Sequence, residues 1–277
     1  MKASGHLSKM VVQATTPVSY ALSLGDAKIP LNPFLGKVIT LQFQQKIHCV
    51  YCQREIKKPF QDGYCFPCSQ KLARCDLCIV KPERCHFHLG TCREPEWGLS
   101  HCMIPHIVYL SNASGIKVGI TRVSHIPTRW IDQGAIQAIP FFEVSSRRVS
   151  GFVEVAIGKI ISDKTNWRKM LSQHQPIDLL AYRKEIGDQI QKDLEPIYQQ
   201  FGFDAIKKIE NSTLHQFAYP VLEYPTKITS LSFDKNSEIT GKLMGIKGQY
   251  IILDCGVINI RKHSGYFVQF FSSNHLK

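Results

Sequence analysis

Nine of the ten cysteines in this 277-residue chain fall between Cys49 and Cys102, in a stretch rich in His, Pro and Gly and poor in large aliphatic side chains. Such a segment has too little apolar surface to hold itself together, so a cross-link must stand in for the missing core. Spacing points to the kind of link. Cys49-x2-Cys52 and Cys65-x2-Cys68 are compact pairs separated by twelve residues, and Lys57, Pro59, Asp62 and Gly63 between them allow the chain to turn. Four sulfurs brought together in this way predict a tetrahedral zinc site.

A second set follows, with Cys75-x2-Cys78, Cys85 and Cys92 as the four-sulfur assignment and His86 or His88 as replacements for a sulfur. It predicts a second structural zinc. Cys102 reads as a buried residue, as does the distant Cys255. A reduced cysteine-rich loop, a small disulfide cluster and an iron–sulfur centre are the competing readings. Zinc held by four thiolates has no open coordination position, which makes a structural role the expectation.

The 34 Lys and Arg residues outnumber the 22 Asp and Glu, for a formal charge of +12. That surplus steers the chain toward a polyanion, with DNA or RNA the first candidate and a protein partner the alternative. No apolar run approaches the roughly 20 residues needed to span a bilayer, and the first residues lack an apolar leader core. The expectation is a cytoplasmic protein with no membrane partner, where clustered thiols favour metal over disulfides.

Punctuation by Gly and Pro gives an α+β chain in five parts. Residues 1–48 are an N-terminal β-rich segment, with strands at 17–22 and 37–43, and 49–102 are the zinc-binding knuckle region. Residues 103–171 alternate strand and helix, and 172–212 form a helical connector with one helix over 178–200 and a buried stripe of Leu180, Ile186, Ile190, Leu194 and Ile197. Residues 213–277 hold five strand candidates, the first at 227–233, that predict a small barrel or sheet joined by the N-terminal strands. On it Lys242, Lys247, Tyr250, Arg261 and Tyr266 are candidates for a binding face.

Chemistry is concentrated in the middle part. Tyr109, Lys117, Arg129 and Glu154 come from consecutive elements there. On one face they combine a phenol, an ammonium, a guanidinium and a carboxylate, a set suited to phosphodiester hydrolysis with Mg2+ or Mn2+ at Glu154. Glu154 stands among Phe152, Val153, Val155, Ala156 and Ile157, so its charge needs a cation, either an ion or Arg129. Arg122, Arg147, Arg148, Arg168 and Lys169 are placed to track a phosphate backbone, with Trp167 stacking on an unpaired base. Trp167, in the polar patch at 163–168, serves equally as an anchor for the following chain.

These motifs resemble the GIY-YIG-like nuclease superfamily over about 103–171. Ile107-Val108-Tyr109 is similar to the first signature, Lys117-Val118-Gly119 to the second, Arg129 to the helix arginine and Glu154 to the metal-binding glutamate. Lys117 replaces the second signature's tyrosine, and Gln133 stands where a histidine often follows the arginine. The whole chain resembles the DUF2797 family, through the cysteine region, Lys117 to Arg122, Arg129 to Ala135 and Gly245 to Tyr250. The resemblances imply a GIY-YIG-like α/β domain and a zinc-stabilised nucleic-acid-binding protein with divalent-metal-dependent nuclease chemistry. A catalytically inactive protein-interaction scaffold is the alternative.

Overall fold

The computed structural model describes residues 1–161 and 166–272, so residues 163–165 of the 163–168 patch lie outside the described residues. The mixed α+β chain forms two compact units, Met1–Ser69 with Leu171–Gln173 and Phe217–Lys277, and Gln70–Met170 with His174–Gln216. Cys49, Cys52, Cys65 and Cys68 thus belong to the first unit, and the cysteines from Cys75 to Cys102 to the second.

The first unit opens with β1 (Lys2–Gln13), β2 (Ser19–Leu24), β3 (Ala27–Pro30) and β4 (Val38–Ile47), and α1 (Phe66–Lys71) follows at its boundary. The long β1 is faint in the sequence because only Leu7 and Met10 are large apolar residues on its buried side. A third buried position is Gly5, where a Cβ would lie 2.6 Å from the Leu24 carbonyl carbon and oxygen. A side chain there would push β1 off its neighbour.

The second unit contains α2 (Pro95–His101), β5 (His106–Asn112), β6 (Ile116–Arg122), α3 (Thr128–Asp132), β7 (Gln137–Val144) and α4 (Arg147–Gly158). Then come α5 (Trp167–Met170), α6 (Leu179–Gln189), α7 (Gln191–Phe201), β8 (Ile206–Lys208) and β9 (His215–Gln216). Its sheet runs β6-β5-β7-β8, all antiparallel, with β9 also on β7. Every residue of β5 is buried. Val108 and Leu110 of this strand share a core with Val149, Val153 and Ile157 of α4, which starts at an N-cap where the Ser146 hydroxyl accepts from the Val149 N–H.

The single helix expected over 178–200 is two helices divided at Ile190, not at the weak helix former Gly187. The division lets Ile186, Ile190, Leu194 and Ile197 all reach the core of the sheet. Leu179 takes the buried place expected for Leu180, which is exposed.

Back in the first unit, the chain forms β10 (Ser230–Leu231), β11 (Glu238–Lys247), β12 (Tyr250–Leu253), β13 (Gly256–Asn259) and β14 (Tyr266–Ser272). Expected as a strand throughout, 227–233 is one only at Ser230–Leu231. The barrel alternative is corrected to an open nine-stranded sheet, β10-β13-β12-β11-β4-β14-β1-β2-β3, antiparallel except for β10 on β13. β3 and β10 end the path on opposite sides, which leaves two edges and no closure. The N-terminal strands join this sheet as expected.

Two further expectations are corrected here. Cys255 is exposed. The suggested binding face is partly core: Lys247 is fully buried with its ammonium 5.4 Å and 5.2 Å from the Tyr219 and Tyr224 ring centres, and Tyr266 donates to Asp234 Oδ1 at 2.7 Å. Among the described residues, no helix is long and apolar enough to cross a membrane.

Candidate functional site

The first cysteine group is built by two tight turns. The Cys49 N–H donates to the Arg54 carbonyl at 2.9 Å and the Gln53 N–H to the Cys49 carbonyl at 3.0 Å. Gln53 itself takes the left-handed conformation, φ +59°, that curls the chain back after Cys52. The second pair follows a bridge between Phe60 and Tyr64, and Cys68 lies on α1. Between the pairs, Gly63 has φ +101° and would place a Cβ 2.6 Å from Val50 Cγ1, so glycine is required there.

The four sulfurs of Cys49, Cys52, Cys65 and Cys68 all lie within 4.8 Å of one another, and Cys52 and Cys65 are 3.7 Å apart. Zinc–sulfur bonds of about 2.3 Å arranged tetrahedrally require sulfur–sulfur edges of about 3.8 Å. The group therefore fits zinc. Burial pushes the Cys49 thiol up, but the backbone N–H groups of Cys52, Cys65 and Tyr51 and the Cys52 thiol outweigh it and bring it down to about 6. Cys68 is shifted the other way, by burial and then by hydrogen bonds to the other three sulfurs. The Cys49 sulfur already accepts from the Cys65 N–H at 3.2 Å, the polarity a cation would complete.

Of the second predicted set, Cys78, Cys85 and Cys92 line one hollow. Cys75 is buried but is not among the residues that line it, whereas Cys102 is. Cys85 is brought down to about 6, chiefly because the Cys78 thiol donates to it.

The polar cluster of the middle part is assembled from four elements of the second unit. Tyr109 of β5 pairs in register with Gly119 of β6, and a Cβ on Gly119 would lie 2.7 Å from the phenol oxygen. The glycine of the Lys117-Val118-Gly119 motif thus makes room for the tyrosine ring. Tyr109 donates to Gln133 Oε1 at 2.8 Å, and the same oxygen accepts from Lys117 Nζ at 2.7 Å. Gln133 caps α3, the helix that carries Arg129 and the buried Trp130, whose ring meets Tyr109 edge-on.

Tyr109 and Lys117 are both buried, although β6 is an edge strand. Burial raises the Tyr109 phenol, Arg129 draws it back through charge and a hydrogen bond, and the Glu154 carboxylate raises it further. Tyr109 and Lys117 thereby meet on Gln133, with Arg129 hydrogen-bonded to the phenol and the Glu154 charge acting on it. Burial also lowers the Arg147 guanidinium, which donates to the Ile79 carbonyl and feels the charges of Cys102, Arg129, Cys78 and Glu154.

The remaining candidates divide. Arg122 donates to His125 Nε2 at 2.9 Å, and burial, followed by the charges of Arg147 and Arg122, brings the His106 imidazole down to about 4. Arg148 is engaged with apolar surface, 5.7 Å and 5.3 Å from the Phe152 and Phe201 ring centres. Arg168 stacks on Trp167 at 4.3 Å and is exposed, as is Lys169.

Two groups carry more than sequence reading gave them. Gln133, noted only as a departure from a motif, is the shared acceptor of the cluster. Cys102 lines the hollow, although no short spacing ties it to another cysteine. We find no match among curated proteins and none among solved structures. The family described as "Protein of unknown function (DUF2797)" matches residues 36–268, most of the chain. With the tetracysteine knuckle, the sheet of the second unit and the Tyr109 cluster all inside the matched span, the chain belongs to the DUF2797 family.

Proposed function

We propose that this protein is a zinc-stabilised nucleic-acid-binding protein whose Tyr109, Lys117, Arg129 and Glu154 cluster carries out divalent-metal-dependent phosphodiester hydrolysis. The observation that carries the reading is the shared acceptor: Tyr109 and Lys117 converge on Gln133 Oε1, with Arg129 within hydrogen-bonding reach of the phenol and Glu154 close enough to shift it. The likeness to GIY-YIG-like nucleases supports it through the order of the motifs. The net charge of +12 supports a polyanionic substrate, DNA or RNA.

Glu154 would hold Mg2+ or Mn2+, since these ions bind through one or two carboxylates and keep several waters. Such an ion would polarise a phosphoryl oxygen and lower the pKa of a water. Arg129 offsets charge on the scissile phosphate, and Arg147 lies close enough to extend the same positive field. Tyr109, with its phenol raised and its proton directed at Gln133, positions by donating a hydrogen bond and does not take a proton. Lys117 holds the other side of Gln133 and adds positive charge. The zinc knuckle is a fold element in this reading. Arg122, Arg168, Lys169 and Trp167 are the candidate contacts to the rest of the nucleic acid, since Arg147 is held on the Ile79 carbonyl and Arg148 on the Phe152 and Phe201 rings.

A protein scaffold would be supported by an exposed apolar patch on the C-terminal sheet together with Tyr109, Arg129 and Glu154 facing separate directions; the links through Gln133 and Tyr109 weigh against the second condition. Gel-shift titration against single- and double-stranded DNA and RNA should give binding that weakens steeply with salt. Cleavage in Mg2+ or Mn2+ should fall at least about a hundredfold, roughly 3 kcal/mol, in Glu154→Gln and in Arg129→Ala, with zinc content unchanged. Absence of salt-sensitive binding to every form sinks the proposal. Binding without metal-dependent cleavage reduces it to a binding protein.

A further inference from the structure

Asp76, Cys78 and His86 bring their ligand atoms within 4.8 Å of one another. Asp76 is already committed: Oδ1 accepts from the Cys78 N–H at 3.1 Å and Oδ2 pairs with Arg93 Nε at 2.7 Å. His86 points Nε2 at Asp76 Oδ2, 3.6 Å away, while Nδ1 meets Thr91 Oγ1 at 2.7 Å. This trio therefore resembles the hydrogen-bonded surround that orients metal ligands more than a ligand set.

Beside it, Cys78, Cys85, Cys92 and Cys102 line one hollow whose wall includes Phe87 and Gly98. Gly98 of α2 admits the approach, since a Cβ there would meet Phe87 at 3.0 Å and the Cys92 sulfur at 3.4 Å. Four cysteines lining one hollow supply a soft donor set, suited to zinc and its thiolate-binding relatives.

We propose that Cys78, Cys85, Cys92 and Cys102 form a second structural zinc centre, with Cys102 in the place that Cys-x2-Cys spacing assigns to Cys75, and that this centre fixes α4. The loop between Cys78 and Cys85 carries Pro82 and Glu83, which lie so close to α4 that a Cβ on Gly151 would fall 2.3 Å from the Glu83 nitrogen. At the start of α4, the Arg147 N–H donates to the Cys102 carbonyl at 2.8 Å and its guanidinium to the Ile79 carbonyl at 2.5 Å. Backbone next to three of the four ligands thus grips the first turns of the helix that bears Glu154. The significance of that grip for catalysis rests on the proposed nuclease; the metal centre does not.

Metal content of the full chain, measured by plasma mass spectrometry after purification with zinc, tests the ligand set. Two zinc ions per chain are expected in the wild type and in Cys75→Ser, and one in Cys92→Ser and Cys102→Ser. Cys102→His guards against misfolding of the serine variants: it should keep two ions, and its Co2+-loaded form should show the blue-shifted ligand-field bands of a site with three sulfurs and one nitrogen. One ion in the wild type overturns the proposal, as does loss of the second ion in Cys75→Ser or His86→Ala while Cys102→Ser retains it. The grip on α4 is read by amide hydrogen exchange over residues 147–154, expected to quicken at least about tenfold in Cys102→Ser and to stay unchanged in Cys75→Ser. Unchanged exchange in a Cys102→Ser chain that has lost the ion overturns the link to α4. The Glu154→Gln cleavage assay tests the nuclease reading separately.

Discussion

The Cys49 to Cys68 knuckle and the Tyr109 cluster solve the same problem, holding polar groups in a fixed geometry, by opposite means. In the knuckle the groups are local, four sulfurs supplied within twenty residues and closed by two turns. In the cluster they come from β5, β6, α3 and α4, and only packing and a shared glutamine bring them together. Local ligands can bind an ion before the rest of the chain has folded, whereas the cluster exists only after its sheet does. The first is therefore expected to respond to metal and the second to packing, and each of the following outcomes tests that contrast.

The largest effect belongs to the knuckle. Zinc binding to structural sites is worth on the order of 10 kcal/mol, so Cys49→Ser, or a strong chelator, should unfold the segment around 49–68. Near-ultraviolet circular dichroism and zinc release on titration would follow it. A knuckle that keeps its spectrum after its zinc is gone would erase the contrast, because packing alone would then suffice for both regions.

Next comes an effect of pH confined to the second unit. His106 is fully buried, hydrogen-bonded through Nδ1 to the Ile104 carbonyl at 2.8 Å, and brought down to about 4 by burial and by the charges of Arg147 and Arg122. In an unfolded chain an imidazole titrates near 6.5. Between those values the unfolded chain takes up a proton that the folded one refuses, so stability is complete above about 6.5 and declines as pH falls toward 4. The full decline is on the order of 3 kcal/mol. His106→Asn, which keeps a donor for Ile104, should flatten that slope relative to the wild type in denaturant titrations at each pH, the zinc knuckle being common to both chains.

The same contrast explains what the sequence disclosed. Cys49, Cys52, Cys65 and Cys68 were legible because spacing along the chain is nearly the whole of their geometry. The strands and helices around Tyr109 were legible from apolar patterning, and the order of the motifs was enough to nominate Arg129 and Glu154. Cys102 was not, because the relevant separation runs through the fold: α2, with Gly98 in its middle, carries it to the hollow. Nor was β1, whose buried face includes a glycine selected for space, not apolarity. Open sheet versus barrel depends on which strands fail to pair, and that is not written in any one strand.

A smaller effect should come from the space above Gly119. Gly119→Ala puts a methyl group 2.7 Å from the Tyr109 oxygen, and overpacking of this kind costs typically 1–3 kcal/mol, about 2 here if the ring shifts to relieve it. The displaced phenol should then lose part of its bond to Gln133. Thermal unfolding would register the cost. An unchanged midpoint together with unchanged cleavage would mean that the ring has room to spare, and that packing does not set the cluster's geometry.

The finest test is the acceptor itself. Gln133→Leu removes the oxygen that accepts from both Tyr109 and Lys117, and leaving buried donors without an acceptor costs about 1–3 kcal/mol. Gln133→Glu restores an oxygen there and makes both bonds charge-assisted, so it should recover that stability. The added negative charge also disfavours the phenolate, so an alkaline limb of cleavage governed by Tyr109 should move to higher pH in Gln133→Glu. A merely structural glutamine would give the stability pattern without the shift in the profile. If Gln133→Leu costs nothing, the cluster is held by something other than its shared acceptor, and the contrast with the self-contained knuckle loses its physical basis.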